Sequence, residues 1–121
     1  MNSELSTHGA HGVERYLDRA EVLAATVLQL RKDLSLSDER LPLPVVGEKA
    51  FEELRRTVLP ALQTLQAQSA HALKVAMYRV DIPEPHLRRT MAQGGLHALA
   101  GEVVLRALQK VLTRLRFAGK F

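Results

Sequence analysis

Three basic residues near the end of the chain are spaced four apart: Arg106, Lys110 and Arg114. In an α-helix this spacing places side chains on one face, where they could follow the phosphates of a nucleic acid. Four further basic residues complete this candidate phosphate-binding set: Arg88, Arg89, Arg116 and Lys120. The other interpretation, which we favour at this point, is a basic surface that only water contacts.

Aromatic residues add little to this set. We expect Tyr16, Phe51, Tyr78 and Phe117 to lie within apolar helix faces. Bases of a single strand stack on exposed rings, so the sequence offers weak support for single-stranded binding.

Metal chemistry has one candidate cluster, formed by His8, His11 and Glu14. Three-residue spacing puts such groups along one side of a regular helix. Gly9 and Gly12 interrupt that helix, however, and glycine favours a flexible backbone. We therefore predict a mobile segment over residues 1–11 and no metal site, with the metal site as the alternative.

Two other histidines are candidates for acid–base chemistry. His97 falls on the apolar face of the predicted last helix, and His71 lies among alanines. Either could be a pH-sensitive group or a general base, but we interpret both as neutral packing residues. Asp81, Glu84 and His86 surround a proline turn, where polar residues commonly cap a helix.

Enzyme motifs are missing from the chain. It contains no Gly-x-Ser-x-Gly, His-Glu-x-x-His, Gly-x-x-x-x-Gly-Lys or Gly-x-Gly-x-x-Gly pattern. It also contains no cysteine, which excludes disulfides, thiolate ligands and cysteine nucleophiles. We predict a protein that is not an enzyme and needs no cofactor; a small hydrolase or metal enzyme is the most distant alternative.

Charge is distributed unevenly. The net charge is +4, and residues 71–121 hold 9 basic and 3 acidic groups, against 8 and 10 in residues 1–70. A basic half of this kind suits an acidic partner or nucleic acid. No run of 18 apolar residues and no signal peptide are visible, so we expect a cytoplasmic protein that does not enter membranes.

Apolar residues recur every three or four positions, which predicts an all-α, up-down bundle in a single domain over residues 12–121. Three long helices are predicted at residues 12–34, 60–80 and 96–117, with short ones at 47–58 and 85–93. The stretch from residue 47 to 80 is predicted to be the element around which the chain is organised. We expect a break at Pro60, because a proline ring inside a helix clashes with the carbonyl four residues earlier.

The connection over residues 35–46 is unusually apolar. Its Leu41, Leu43, Val45 and Val46 are predicted to cover one end of the bundle. The alternative is a proline-rich recognition segment, which requires these side chains to be exposed.

Part of the C-terminal half resembles small all-helical bacterial proteins with no assigned function. The similarity lies in Met77-Tyr78-Arg79-Val80-Asp81-Ile82-Pro83-Glu84, Leu108-Gln109-Lys110-Val111, Arg114 and Phe117. It covers about the last 45 residues and implies a helical fold and a bacterial origin. It implies no activity and no site.

More apolar residues are present than one small core needs. The extra positions are Leu59, Val75, Met77, Leu96, Leu99 and Val103, and the small residues that would let a second helix approach are Ala67, Ser69, Ala70 and Ala72. We therefore predict a non-enzymatic helical interaction or structural protein that self-associates as a twofold dimer. The alternative function is nucleic-acid backbone binding through the basic C-terminal helix.

Overall fold

A computed structural model describes residues 12–119, which form helices and connections without a β-strand. A 3₁₀ turn at Arg15–Asp18 is followed by α1 (Ala20–Leu34), α2 (Ala50–Gln68), α3 (Ala70–Arg79) and α4 (Glu84–Phe117). The all-α class is confirmed. The predicted mobile segment over residues 1–11 lies outside the described residues.

The longest helix, α4, is the centre of the fold, and the stretch from residue 47 to 80 is not. Helix α4 contacts α1, α2 and α3, and its contact with α2 is the most extensive. Its side chains at three- and four-residue spacing are completely buried, and they include Leu99, Val103, Val104, Ala107 and Leu108. Burial on this scale, rather than helix propensity, holds the element in place.

Gly95 divides α4 into two helical segments, as the glycine pair predicts. Its backbone has φ 64° and ψ −156°, a combination essentially restricted to glycine. The first segment begins after Pro83 and carries Pro85 in its first turn, where a missing N–H costs no hydrogen bond. The predicted helices at 85–93 and 96–117 are confirmed with small shifts at their ends.

The predicted uninterrupted helix over residues 12–34 is wrong, because the chain is extended at Arg19 (φ −97°, ψ 120°). Leu17 and Val22 are both buried. In one continuous helix, two side chains five residues apart would point in directions about 140° apart. The break at Arg19 allows both side chains to enter the core. The Arg19 carbonyl then accepts the N–H groups of Val22 and Leu23 at 3.1 and 3.0 Å, which starts α1.

The predicted break at Pro60 is also wrong, since α2 continues through it to Gln68. Pro60 lies on the exposed side of the helix, as does Arg56, whose carbonyl loses its N–H partner. Water can solvate that carbonyl. The break falls instead at Ser69, which is extended (φ −176°, ψ 159°) and accepts the N–H of Ala72 on its hydroxyl at 2.9 Å. A serine N-cap separates the two helices.

Substituting Pro60 with alanine is expected to raise the free energy of unfolding by about 1 kcal/mol, because it removes a steric clash inside a continuous helix and restores one backbone hydrogen bond. Urea unfolding followed by circular dichroism measures the change. Gln63→Ala, one turn later on the exposed side, is the control and should be neutral. A less stable Pro60→Ala protein would contradict the continuous helix.

Two leucines of the connection between α1 and α2 pack on the core: Leu36, which is partly buried, and Leu41. Leu41 is buried, and its carbonyl accepts the Arg31 Nε–H at 2.9 Å. Leu43, Val45 and Val46 are exposed, so the prediction that all four residues cover an end of the bundle is wrong. The two prolines at 42 and 44 limit how far this short segment can turn back towards the core.

Candidate functional site

A groove lined by polar and charged side chains lies between the C-terminal part of α4 and the end of α1. We call it the basic groove; its volume is about 380 Å³. Three neutral residues and four cationic residues line it: Gln29, Gln109, Thr113, Lys32, Arg106, Lys110 and Arg114. The predicted helical spacing therefore does bring Arg106, Lys110 and Arg114 together.

Lys110 forms the floor of the basic groove. Its ammonium donates to Asp33 Oδ2 at 3.0 Å and to the Arg79 carbonyl at 3.2 Å. The Lys110 and Asp33 side chains are only 17% and 9% exposed. Because desolvated charges need a close partner, this ion pair joins α4 to α1 and also holds the end of α3.

A chain of hydrogen bonds continues from Asp33 to the groove rim. Gln29 Nε2 donates to Asp33 Oδ1 at 2.9 Å, and Arg114 Nη1 donates to Gln29 Oε1 at 2.6 Å. The Gln29 amide is therefore oriented by a carboxylate on one side and a guanidinium on the other. This chain fixes Arg114 on the groove while its guanidinium keeps further N–H donors.

The turn between α3 and α4 supplies an acidic partner for two groove cations. The Asp81 backbone adopts the left-handed conformation there (φ 69°). The Asp81 Oδ2 atom lies 3.6 Å from both Arg106 Nη2 and Lys110 Nζ. Arg106 Nη1 donates to Gln109 Oε1 at 3.1 Å, whereas its buried Nε has no hydrogen-bond partner. Asp81 and Asp33 together offset two of the four groove cations.

The remaining predicted phosphate-binding residues are elsewhere. Arg116 lies six residues after Lys110, about 120° around the helix, and lines a different depression with Val13 and Tyr16. Arg88 and Arg89 are exposed on the segment before Gly95. Lys120 lies outside the described residues.

Arg88 lines a separate cleft of about 360 Å³ between α3 and the first segment of α4. Its rim also carries His71, Lys74 and Glu84, and the last two form an ion pair of 3.4 Å. Two cations and one carboxylate line this cleft, so its excess of positive charge is smaller than that of the basic groove, where four cations lie near two carboxylates.

The two histidines interpreted as packing residues lie at the surface. His71 and His97 are both exposed, so the interpretation of either as a core packing residue is wrong. The first turn after Gly95 is only partly covered by other helices, and Leu96 and Ala98 beside His97 are half-buried.

The three polar residues around the proline turn do not converge. Asp81 faces Arg106 and Lys110, and Glu84 faces Lys74. His86 Nε2 lies 3.1 Å from Glu102 Oε1 on the other side of the Gly95 break. Each group therefore has its own partner, and the side chains of Asp81 and Glu84 do not cap α4.

Sequence reasoning missed Lys32, Gln29 and both acidic partners in the basic groove. One signal was available: Asp33 stands between Leu30 and Leu34 on the apolar side of α1, with Gln29 four residues earlier. A carboxylate in that position must be paired, and a lysine on another helix is the expected partner.

Residues 12–119 hold no cluster of three or more histidine, aspartate or glutamate side chains that could bind a metal ion. The predicted alternative site includes His8 and His11, which lie outside this range. Across the same residues, no helix is long and apolar enough to cross a membrane.

Comparison of the chain with protein-family models, with curated proteins and with solved structures gave no match.

Proposed function

We propose that this protein is a non-enzymatic binding protein that holds the phosphate backbone of a nucleic acid in the basic groove. The observation that supports the proposal is the meeting of four cationic side chains from two helices on one surface, with two carboxylates beside them. The excess positive charge suits a polyanion, and phosphate contacts supply most of the affinity of non-specific nucleic-acid binding.

The spacing of the cations favours a nucleic acid over an acidic protein. Arg106, Lys110 and Arg114 lie on successive turns of α4, so their Cα atoms are about 6 Å apart along the helix axis. Charges repeated at a constant interval match a backbone with one phosphate per nucleotide better than the irregular carboxylates of a protein surface.

A binding role rather than a catalytic one is supported by what the groove side chains contact. Lys110 is held by Asp33, and Gln29 lies between Asp33 and Arg114. The Thr113 hydroxyl donates to the Gln109 carbonyl of its own helix. The groove thus presents positive charge and amide groups, which bind and orient phosphates.

Fluorescence anisotropy with a labelled oligonucleotide over a salt series tests the proposal. For three to four phosphate contacts, log K should fall against log salt with a slope between about −2 and −3.5. The double variant Arg106→Ala, Arg114→Ala should bind the oligonucleotide about tenfold more weakly. The magnitude of its slope of log K against log salt should be smaller by about 1.5.

The matched control removes two cations outside the groove, both exposed: Lys49→Ala with Arg56→Ala. It makes the same change in net charge and should leave the slope nearly unchanged. If the two double variants lose affinity equally, general charge attraction explains the binding and the groove has no special role.

The predicted twofold dimer stays a prediction, with less support than the sequence suggested. Met77, Leu99 and Val103 were expected to face a second copy, but they are buried within the chain. Val75 and Tyr78 on α3 remain exposed. A stable dimer buries at least about 1,000 Å², and light scattering at micromolar concentration measures whether one forms.

A further inference from the structure

Two aromatic side chains that the sequence assigned to apolar helix faces are exposed to solvent. Tyr78 is 78% exposed and Phe117 is 87% exposed. Tyr16 and Phe51, by contrast, are half-buried against the core. Exposing an aromatic ring to water is unfavourable in free energy, because most of the ring surface is apolar.

Phe117 continues the cationic face of the basic groove. It follows Lys110 by seven residues, so the two side chains leave α4 within about 20° of the same direction. It follows Arg114 by three residues and ends the helix. A ligand that runs along Arg106, Lys110 and Arg114 therefore meets the Phe117 ring on the next turn.

Tyr78 is followed along the chain by two residues that contact the groove cations, Arg79 and Asp81. The carbonyl of the next residue, Arg79, accepts the Lys110 ammonium at 3.2 Å. The carbonyl of Tyr78 itself accepts the Asp81 N–H at 3.1 Å, and the Asp81 carboxylate faces Arg106 and Lys110. The Tyr78 backbone thus begins the turn that carries Asp81 to the groove cations.

We propose that the ligand of the basic groove is single-stranded nucleic acid, with phosphates along the cations and bases stacked on Phe117 and Tyr78. This inference rests on the proposed function and adds the class of nucleic acid. Cationic grooves with exposed rings bind single strands because every base has a face that can stack, whereas the bases of a duplex are stacked on one another. From Lys110 to Phe117 the helix rises about 10 Å, the length of about three stacked nucleotides.

The test compares three labelled ligands of equal phosphate number by fluorescence anisotropy: a mixed-sequence single strand, the corresponding duplex and an abasic single strand. The single strand should bind the native protein most tightly. Phe117→Leu and Tyr78→Leu should each weaken its binding about fivefold or more without changing the salt slope. Neither substitution should alter the affinity for the abasic strand.

Leu28→Ala is the control, because Leu28 is an exposed apolar side chain of α1 without a ring. It should leave all three affinities unchanged. Circular dichroism of each variant confirms that the helices are intact before binding is measured.

Tyrosine fluorescence gives a second readout. The chain has two tyrosines and no tryptophan, so Tyr16→Phe leaves Tyr78 as the only strong emitter. Base stacking should quench its emission when the single strand binds, and the abasic strand should not.

The outcomes separate the two proposals. If no ligand binds with a measurable salt slope, the proposed function is wrong. If all three ligands bind alike and Phe117→Leu and Tyr78→Leu have no effect, the groove binds phosphates but the single-strand inference is overturned. It is also overturned if a poly-glutamate peptide binds as tightly as the single strand, or if the two substitutions dissociate a dimer without weakening binding.

Discussion

Replacing Lys110 with methionine is expected to lower the free energy of unfolding by about 3 kcal/mol, because removal of one partner leaves the buried Asp33 carboxylate without its counter-ion. Methionine keeps most of the apolar stem of lysine, so lost packing contributes little. The lost contacts are the ones to Asp33 at 3.0 Å and to the Arg79 carbonyl at 3.2 Å. The ends of α1 and α3 are both held to α4 by this one ammonium group.

Urea unfolding followed by circular dichroism measures the loss, with the m-value checked for two-state behaviour. Lys32→Met is the matched control, since Lys32 lines the same groove but is exposed; its expected effect is within about 0.5 kcal/mol. The double variant Asp33→Asn, Lys110→Met should recover part of the stability, because a neutral amide is less costly to bury than an unpaired carboxylate. Equal losses for Lys32→Met and Lys110→Met would show that Asp33 does not depend on Lys110.

Alanine at Gly95 is expected to destabilise the protein by about 2 kcal/mol, since φ 64° with ψ −156° is a conformation that residues with a Cβ rarely adopt. The neighbouring Gly94→Ala should also destabilise it, for a different reason: an added Cβ would lie 2.6 Å from the Ala98 Cβ. One substitution strains the backbone and the other creates a steric clash.

Gly101→Ala provides the control within the same helix. Its added Cβ would meet the flexible Arg55 side chain, with Cδ at 3.3 Å, and alanine favours a regular helix by about 1 kcal/mol over glycine. Thermal and urea unfolding should therefore show a neutral or slightly stabilising effect. If Gly95→Ala proves as stable as Gly101→Ala, the break in α4 is not enforced by the backbone at residue 95.

Local patterns in the sequence were sufficient for the helical class and for the break in α4. Apolar spacing identifies the core face of α4, and a glycine pair indicates where its two segments join. The breaks at Arg19 and Ser69 were not predictable from such patterns, because they depend on which side chains the rest of the fold can bury. The continuous helix through Pro60 was unpredictable for the same reason. The free-energy cost of a proline inside a helix depends on whether water reaches the carbonyl that loses its N–H partner.

Only part of the basic groove could be predicted from the sequence, because some of its residues come from a second helix. Spacing of four residues groups Arg106, Lys110 and Arg114 without knowledge of the fold. Lys32 and Asp33 come from a helix far away in the sequence, so only tertiary packing brings them to Lys110. The exposure of Phe117 and Tyr78 likewise depends on tertiary packing, which spacing along the chain does not show.

The apolar connection between α1 and α2 also bears on β-strand pairing between molecules. Residues 42–45 have no regular secondary structure, and Leu43 and Val45 are exposed, a combination that favours β-sheet pairing between molecules. Pro42 and Pro44 alternate with these residues, and neither has an N–H group. In an extended chain alternate N–H groups point to the same side, so one edge of the segment has no donors with which to pair. The two prolines thus protect the connection against intermolecular strand addition while leaving its apolar side chains in water.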